Sequence, residues 1–206
     1  IPKSEFLWET IEQKIRNNPL TKNSDGKPRI LTITQSTYDG VLYNVEDIKE
    51  MLDGKIGTLH FDEAWLPHAA FHEFYRNMHA IGSDRPRAKE SMVFSTQSTH
   101  KMLAGLSQAS QILVQNSENQ ELDRDIFNEA FLMHTSTSPQ YAIIASCDVA
   151  AAMMEAPGGT ALVDESIREA MDFRRAMRKV DADWGDDWWF KVWGPDAIAA
   201  DGIGER

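Results

Sequence analysis

The chain has 206 residues, 42% of them hydrophobic and 26% charged, which is the composition of a globular domain and excludes a disordered segment. Its 21 basic and 32 acidic side chains give a net charge of −11, so nucleic acid is not expected as a partner, because phosphate binding needs concentrated positive charge. The single cysteine, Cys147, excludes an intramolecular disulfide, and no apolar run approaches the roughly 20 residues of a membrane-spanning helix. These features predict a cytoplasmic protein without a membrane partner.

The first half of the chain alternates helices with short strands. Apolar residues at three- and four-residue steps predict a helix over Glu5–Asn17, and Asn44 and Gly54 are suited to start and stop a helix over Asn44–Leu52. A longer amphipathic helix is expected over Ala64–Ala80. Strands are predicted at four short segments: Arg29–Thr34, Thr58–Asp62, Ser91–Ser95 and Gln111–Gln115.

The second half is expected to be mostly helical, with one strand at Trp188–Trp193 near its end. Its helices are predicted over Asp123–His134, Gln140–Glu155 and Val163–Val180. Pro157-Gly-Gly159 is the clearest break, so we place a domain boundary there, between residues 1–156 and 157–206. The alternation of strands and helices predicts an α/β fold with a mostly parallel sheet flanked by helices.

Two residues at the expected carboxyl ends of strands could carry chemistry, because ligands of such sheets bind at that edge. Asp62 either caps the next helix or presents a carboxylate to a ligand, and one residue can do both. Lys101 follows the polar run Ser95–His100, where it could form a Schiff base with a carbonyl compound. One helix and one strand separate the two, as in the pair that holds pyridoxal phosphate (PLP) in PLP enzymes.

Several motifs in order along the chain resemble one family, the bacterial lysine/arginine/ornithine decarboxylases of the aspartate aminotransferase fold. The resemblance is strongest to lysine decarboxylases of the pseudomonad type. The matching segments are Thr34-Gln-Ser-Thr-Tyr-Asp-Gly40, Asp62-Glu-Ala-Trp-Leu-Pro-His68, Ser95-Thr-Gln-Ser-Thr-His-Lys101, His134-Thr-Ser-Thr-Ser-Pro139 and Trp188-Trp-Phe-Lys-Val-Trp-Gly-Pro195.

The resemblance implies the large domain of a fold type I PLP enzyme up to residue 156, followed by a linking helix and the start of the C-terminal domain. It implies decarboxylation of a basic amino acid through a Schiff base on Lys101. Lysine, which gives cadaverine, is favoured over arginine and ornithine. The other cofactor-binding residues it implies are Asp62 at the pyridine nitrogen, Trp65 in the pocket, Ser98 and His100 beside phosphate and lysine, and Thr135, Ser136 and Thr137 reaching the phosphate across a dimer interface.

Members of the family are several times longer than this chain, and they form homodimers that can build up into decamers. Their phosphate-binding turn and the imidazole stacked on the cofactor come from sequence before the position of Ile1. We therefore expect the rest of a longer polypeptide to be a partner of this segment. Residues 1–206 alone are expected to bind PLP weakly or not at all, to lack activity and to self-associate through an exposed sheet edge.

Two other classes of function remain open. His68, His72 and His79 would share one face of the predicted helix downstream of Asp62 and Glu63, as in a zinc site, although the segment HAAFHEF is not the HExxH motif. An acidic stretch rich in tryptophan instead suggests a non-catalytic interaction module, with aromatic residues at positions 184, 188, 189 and 193.

Overall fold

The computed structural model describes residues 3–24 and 28–194, and four strands in them form one sheet in the order β1-β2-β3-β4. The pairs β1–β2 and β2–β3 are parallel, whereas β3–β4 is antiparallel. The α/β fold is thus confirmed, with a mixed sheet. The strands are β1 (Ile30–Thr34), β2 (Thr58–Asp62), β3 (Met92–Gln97) and β4 (Gln111–Gln115).

The described residues form six α-helices, none of which is long and apolar enough to cross a membrane. The side chain of Asn44 accepts a hydrogen bond from the Asp47 N–H (3.3 Å), which confirms the expected start of α2. The helices are α1 (Trp8–Asn17), α2 (Val45–Leu52), α3 (Thr99–Met102), α4 (Arg124–His134), α5 (Tyr141–Met154) and α6 (Gly158–Trp184).

The main hydrophobic core lies on one face of the sheet, where α2 packs. Successive side chains of a strand point to opposite faces, so alternate residues of the central strands enter this core. Burial of each large aliphatic or aromatic side chain contributes about 1.5–3 kcal/mol. The cluster contains Phe6, Ile33, Tyr43, Val45, Ile48, Leu52, Ile56, Leu59, Phe61, Ala80 and Val93.

Because side chains alternate between the two faces, three polar residues near the carboxyl ends of the strands form one row on the other face of the sheet. Thr34, Asp62 and Thr96 are opposite one another in the register of β1, β2 and β3. Asp62 therefore lies on the face away from Phe61 and the core. The packing of the core thereby fixes the side of the sheet on which this carboxylate is found.

The expected helix over Ala64–Ala80 is wrong. This segment contains two short 3-10 turns, Ala69–Phe71 and Glu73–Tyr75, joined by irregular chain. Buried side chains compete for its main-chain groups, since the carbonyl of Met78 accepts from Gln35 and the N–H of Ala80 donates to Glu63. A helix reaching Ala80 would need the Ala80 N–H for its own ladder, whereas the Met78 carbonyl would lie in its last turn without a partner inside the helix.

The strand expected over Trp188–Trp193 is also wrong, because the structure gives these residues neither strand nor helix. A strand needs a neighbour, and none pairs with this segment among the described residues. The carbonyl of Trp193 instead accepts a hydrogen bond from Nη2 of Arg174 on α6 (2.8 Å). Alternating hydrophobicity predicted a strand here, but the Trp193 carbonyl is bonded to the Arg174 side chain and not to a neighbouring strand.

Asp53, at the end of α2, fixes the start of β3. Its carboxylate accepts hydrogen bonds from the N–H groups of Lys89 (2.9 Å), Glu90 (3.0 Å) and Ser91 (2.9 Å). Burial by itself would raise the pKa of Asp53, but these main-chain donors outweigh it and lower the pKa. Asp53 therefore stabilises the fold above the ordinary carboxyl pKa, and this contribution is lost as the pH falls through the lowered value.

We predict that Asp53→Asn lowers the hydrogen-exchange protection of the Lys89, Glu90 and Ser91 amides about tenfold at pH 7, because at least one of three charge-assisted bonds is lost in a partly solvated setting. The difference from wild type should begin to shrink as the pH falls below about 3.8, the ordinary carboxyl pKa, and should disappear below the lowered pKa of the native carboxyl. Asp148→Asn, an exposed change on α5, is the matched control. Equal protection in both variants would contradict the assigned role of Asp53.

Candidate functional site

The carboxyl ends of β1, β2 and β3 meet at one edge of the sheet, where Asp62 is the last residue of β2. The half-buried Asp62 side chain accepts a hydrogen bond at Oδ1 from the N–H of Ala64 (3.2 Å). That bond stabilises a turn, since no helix follows. The carboxylate is held by the main chain and still faces a cavity.

Lys101 reaches the same cavity from α3, the single helical turn after β3. Its Nζ lies 4.9 Å from the centre of the Trp65 ring, a distance at which a cation is attracted to the face of an aromatic ring. Tyr38 contacts Trp65 edge-on, with ring centres 6.2 Å apart. The cavity has a volume of about 750 Å³, and Asp62, Trp65 and Lys101 all line it. Asp62 and Lys101 thus lie at one edge of the sheet, as their positions after neighbouring strands predicted.

Ser98 and His100 lie on the turn that carries Lys101, but they are not among the residues that line this cavity. The ring of His100 donates from Nδ1 to the carbonyl of Ala109 (2.8 Å), and its main-chain N–H donates to the same oxygen (3.2 Å). His100 thus ties the lysine-bearing turn to the segment before β4. Direct contact of either residue with a cofactor remains a prediction.

Thr135, Ser136 and Thr137 are exposed in the connection between α4 and α5 and do not line the cavity. The Ser136 hydroxyl accepts a hydrogen bond from the N–H of Ser138 (3.1 Å), which shapes a local turn. Their predicted role places them in a neighbouring subunit's site, so their distance from this cavity neither supports nor opposes it.

Gln35 is a buried residue of the site that the sequence patterns did not reveal. Its N–H donates to the carbonyl of Asp62 (2.8 Å), and its side chain donates to the carbonyls of Tyr43 (2.8 Å) and Met78 (2.9 Å). Its Oε1 accepts from the Tyr43 N–H (2.9 Å). The only local signal is an amide directly after the apolar strand ILTIT. Gln35 joins three segments behind Asp62.

Glu63 is a second buried polar residue that the sequence did not single out as part of the site, and its side chain is fully inaccessible to solvent. Burial raises the pKa of the Glu63 carboxyl, although hydrogen bonds from Ser95, Gln97 and Ala80 and the charge of Arg85 oppose the shift. Asp62 and Glu63 are adjacent in sequence but differ in environment. One faces a cavity and the other lies in the interior.

The three histidines of the proposed metal site do not share a helical face, because the helix is absent. The ring of His68 packs edge-on against Tyr75 with centres 5.3 Å apart, His72 lies 3.7 Å from a carboxylate oxygen of Asp164, and His79 is buried beside the Tyr75 carbonyl. Burial lowers the pKa of both His68 and His79. Within residues 3–24 and 28–194, no three His, Cys, Asp or Glu side chains are grouped to hold a metal.

The tryptophans of the proposed interaction module lie at the end of α6 and beyond it. Trp189 is 85% exposed and Trp184 62% exposed, while the rings of Trp188 and Phe190 contact each other at 4.8 Å. The Trp189 ring contacts Phe190 edge-on at 4.8 Å, yet both exposed tryptophans leave most of their surface uncovered, so an interaction role for this segment stays an alternative.

Comparison with known proteins now defines the class. A family model described as the major domain of Orn/Lys/Arg decarboxylases matches residues 1–202, so the chain belongs to this family. The lysine decarboxylase LdcA of Pseudomonas aeruginosa is 50% identical over 199 residues, covering 96% of this chain and 26% of the relative. The biodegradative arginine decarboxylase of Escherichia coli is 41% identical over 197 residues, covering 94% of this chain and 26% of the relative.

The fold is shared as well. The crystal structure of the Francisella novicida lysine decarboxylase LdcF superimposes with a TM-score of 0.83 at 43% identity, covering 97% of this chain and 26% of that one. The chain therefore spans about a quarter of the length of the relatives it matches.

We predict that Gln35→Met destabilises the protein by about 2–4 kcal/mol, because it removes the three hydrogen bonds between the buried Gln35 side chain and the main chain of Tyr43 and Met78. Chemical denaturation measures this loss. Gln13→Met, on the exposed side of α1, is the control and should change stability by less than about 0.5 kcal/mol. Similar stability of the two variants would show that the Gln35 bonds contribute little.

Proposed function

We propose that this chain supplies part of the active site of a PLP-dependent decarboxylase that acts on a basic amino acid. The family is PLP-dependent. The observation that carries the proposal is the meeting of the Asp62 carboxylate and the Lys101 amine in one cavity lined by Trp65. The donor set fits this cofactor, which needs an amine for its aldehyde and an anion for its protonated ring nitrogen. The cavity is also of a size that suits a small ligand.

In this proposal, Lys101 would hold PLP covalently through Nζ, and the Asp62 carboxylate would pair with the pyridine nitrogen. Trp65 would form a wall of the pocket, with Ser98 and His100 beside the lysine and the phosphate. Thr135, Ser136 and Thr137 would serve the phosphate in the partner subunit. All of these roles follow from the family resemblance, and the position of Lys101, Asp62 and Trp65 in one cavity supports the roles of these three residues alone.

When bound, PLP supplies an electron-accepting ring for the electron pair left behind as the α-carboxylate departs as carbon dioxide. The part played by the protein is electrostatic and positional. The negative charge of Asp62 favours a protonated partner, because opposite charges at contact stabilise the ionised forms. The amine of Lys101, which lies in the same cavity, would hold the proton that returns to the α-carbon.

Lysine is the favoured substrate, with cadaverine as the product, because two of the similar proteins described above are named lysine decarboxylases. Arginine and ornithine are the alternatives, since the similar E. coli enzyme acts on arginine by its name. We further propose a cytoplasmic homodimer, able to form decamers, in which residues 1–156 belong to the cofactor domain and residues 157–206 lead into the C-terminal domain. The rest of a longer polypeptide would complete the phosphate site.

The first test of the proposal concerns Lys101. Borohydride reduction of the PLP-loaded protein, at the length its gene encodes, should fix the pyridoxyl group on the peptide containing Lys101. Lys101→Ala should abolish both the label and turnover, whereas Lys89→Ala, an exposed change, should leave both intact. Recovery of the label on Lys49 or Lys89 would end the assignment.

The second test concerns the charge of Asp62. We predict that Asp62→Asn retains much of its PLP binding but loses at least about 100-fold in kcat, because the neutral amide no longer favours a protonated ring nitrogen. Cofactor titration and steady-state kinetics on the same preparations separate the two effects. Asp39→Asn, a neighbouring change at an exposed position, controls for the loss of one negative charge near the cavity. Turnover close to wild type would show that the reaction does not need this carboxylate.

A further inference from the structure

The buried Glu63 carboxylate accepts three hydrogen bonds behind the cavity. Its Oε1 accepts a hydrogen bond from the N–H of Ala80 (2.6 Å), and its Oε2 accepts from the hydroxyl of Ser95 (2.6 Å) and from Nε2 of Gln97 (3.1 Å). In addition, the main-chain N–H of Glu63 donates to the carbonyl of Thr96 (2.9 Å). One residue therefore binds both the chain that follows β2 and the last part of β3.

These bonds connect the two elements that carry the proposed cofactor ligands. Asp62 directly precedes Glu63, and Gln97 is the last residue of β3, one position before the turn that leads to Lys101. The network continues outward, because Nε2 of Gln111 on β4 donates to Oε1 of Gln97 (2.7 Å). Displacement of Glu63 would thus change the spacing between the end of β2 and the end of β3.

The fold does not gain an obvious advantage from a carboxylate at this position. Desolvation raises the pKa of Glu63 despite three hydrogen bonds and the charge of Arg85, so the ionised group is less favourable here than in water. A well-packed apolar residue often serves a buried position at least as well as an ion. An apolar residue cannot accept hydrogen bonds, whereas Glu63 accepts three of them from two segments, the chain at Ala80 and strand β3.

We propose that Glu63 is a positioning residue, whose buried carboxylate fixes the end of β2 to the end of β3 and thereby sets the separation of Asp62 and Lys101. This inference rests on the proposed function, because the two residues are held in place for a cofactor. Glu63 itself contacts neither the cavity nor the reacting atoms. Its effect is exerted through Ser95, Gln97 and Ala80.

The test compares Glu63→Gln and Ser95→Ala with a matched control, Ser91→Ala, in the protein at the length its gene encodes. Ser95 and Ser91 are both buried and lie four residues apart on the same stretch of chain. The Ser95 hydroxyl donates to Glu63, whereas the Ser91 hydroxyl donates to the carbonyl of Ile56 (2.6 Å) at the other end of the sheet. Each serine variant removes one buried side-chain donor, so a general loss of stability affects both.

We expect Glu63→Gln to lower kcat about 10- to 100-fold while KM changes less than about threefold, because misplacement of the reacting groups by a fraction of an ångström has effects of that size. The visible circular dichroism of bound PLP should weaken, since it reports how the cofactor is oriented. In the cofactor-free protein, the Ala80 amide should exchange at least about fivefold faster, because its acceptor is altered. Ser95→Ala should show the same changes at a smaller size, and Ser91→Ala should show none of them.

The outcomes are distinguishable. If the wild-type protein bound no PLP, the proposed function and this inference would both be overturned. If the wild type bound PLP and Ser95→Ala matched Ser91→Ala in kcat, dichroism and Ala80 exchange, only the role of Glu63 would be overturned. Should Glu63→Gln fail to fold, the two serine variants decide the question by themselves.

Discussion

A polar group that is buried must find hydrogen-bonding partners inside the protein, and this constraint shapes the whole edge of the sheet where the site lies. Gln35 and Glu63 are both fully buried. Each follows directly on the last residue of a parallel strand, and each binds main-chain groups of the segment 78–80. The ends of β1 and β2 are therefore hydrogen-bonded to residues 78–80 by the protein's own side chains. Removal of either buried side chain eliminates three hydrogen bonds.

The irregular course of the chain after β2 is a consequence of the same constraint. Its sequence has the apolar spacing of a helix, and local preference alone would favour one. The carbonyl of Met78 and the N–H of Ala80 are instead committed to Gln35 and Glu63, and His79 between them is buried. At the end of this segment, hydrogen bonds to residues distant in sequence therefore outweigh the preference for a helix that the apolar spacing predicts. The proposed histidine face depended on that periodicity and is lost with it.

The parts of the structure that local patterns determine were predictable. The bounds of β2 and β4 agree with expectation, and Asp62 and Lys101 meet in one cavity because parallel strands present their carboxyl ends at one edge. In contrast, β3 continues two residues beyond the expected end at Ser95. Ser95 and Gln97 are polar, yet they are buried because Glu63 and Gln111 supply their partners. Because these partners are distant in sequence, the residues next to Ser95 and Gln97 do not predict that the two side chains are buried.

The pair Asp62 and Glu63 shows how one chemical group acquires two roles from its position alone. Both side chains carry a carboxyl group, and only the alternation at a strand end separates them. Asp62 shares its face with Thr34 and Thr96 and opens to the cavity, whereas Glu63 meets Ser95 on the core side. A carboxylate near solvent is free to interact with a ligand, but one with three internal donors is committed to the protein. The order of the two residues after β2 therefore decides which carboxylate faces the cavity and which holds the strands that form it.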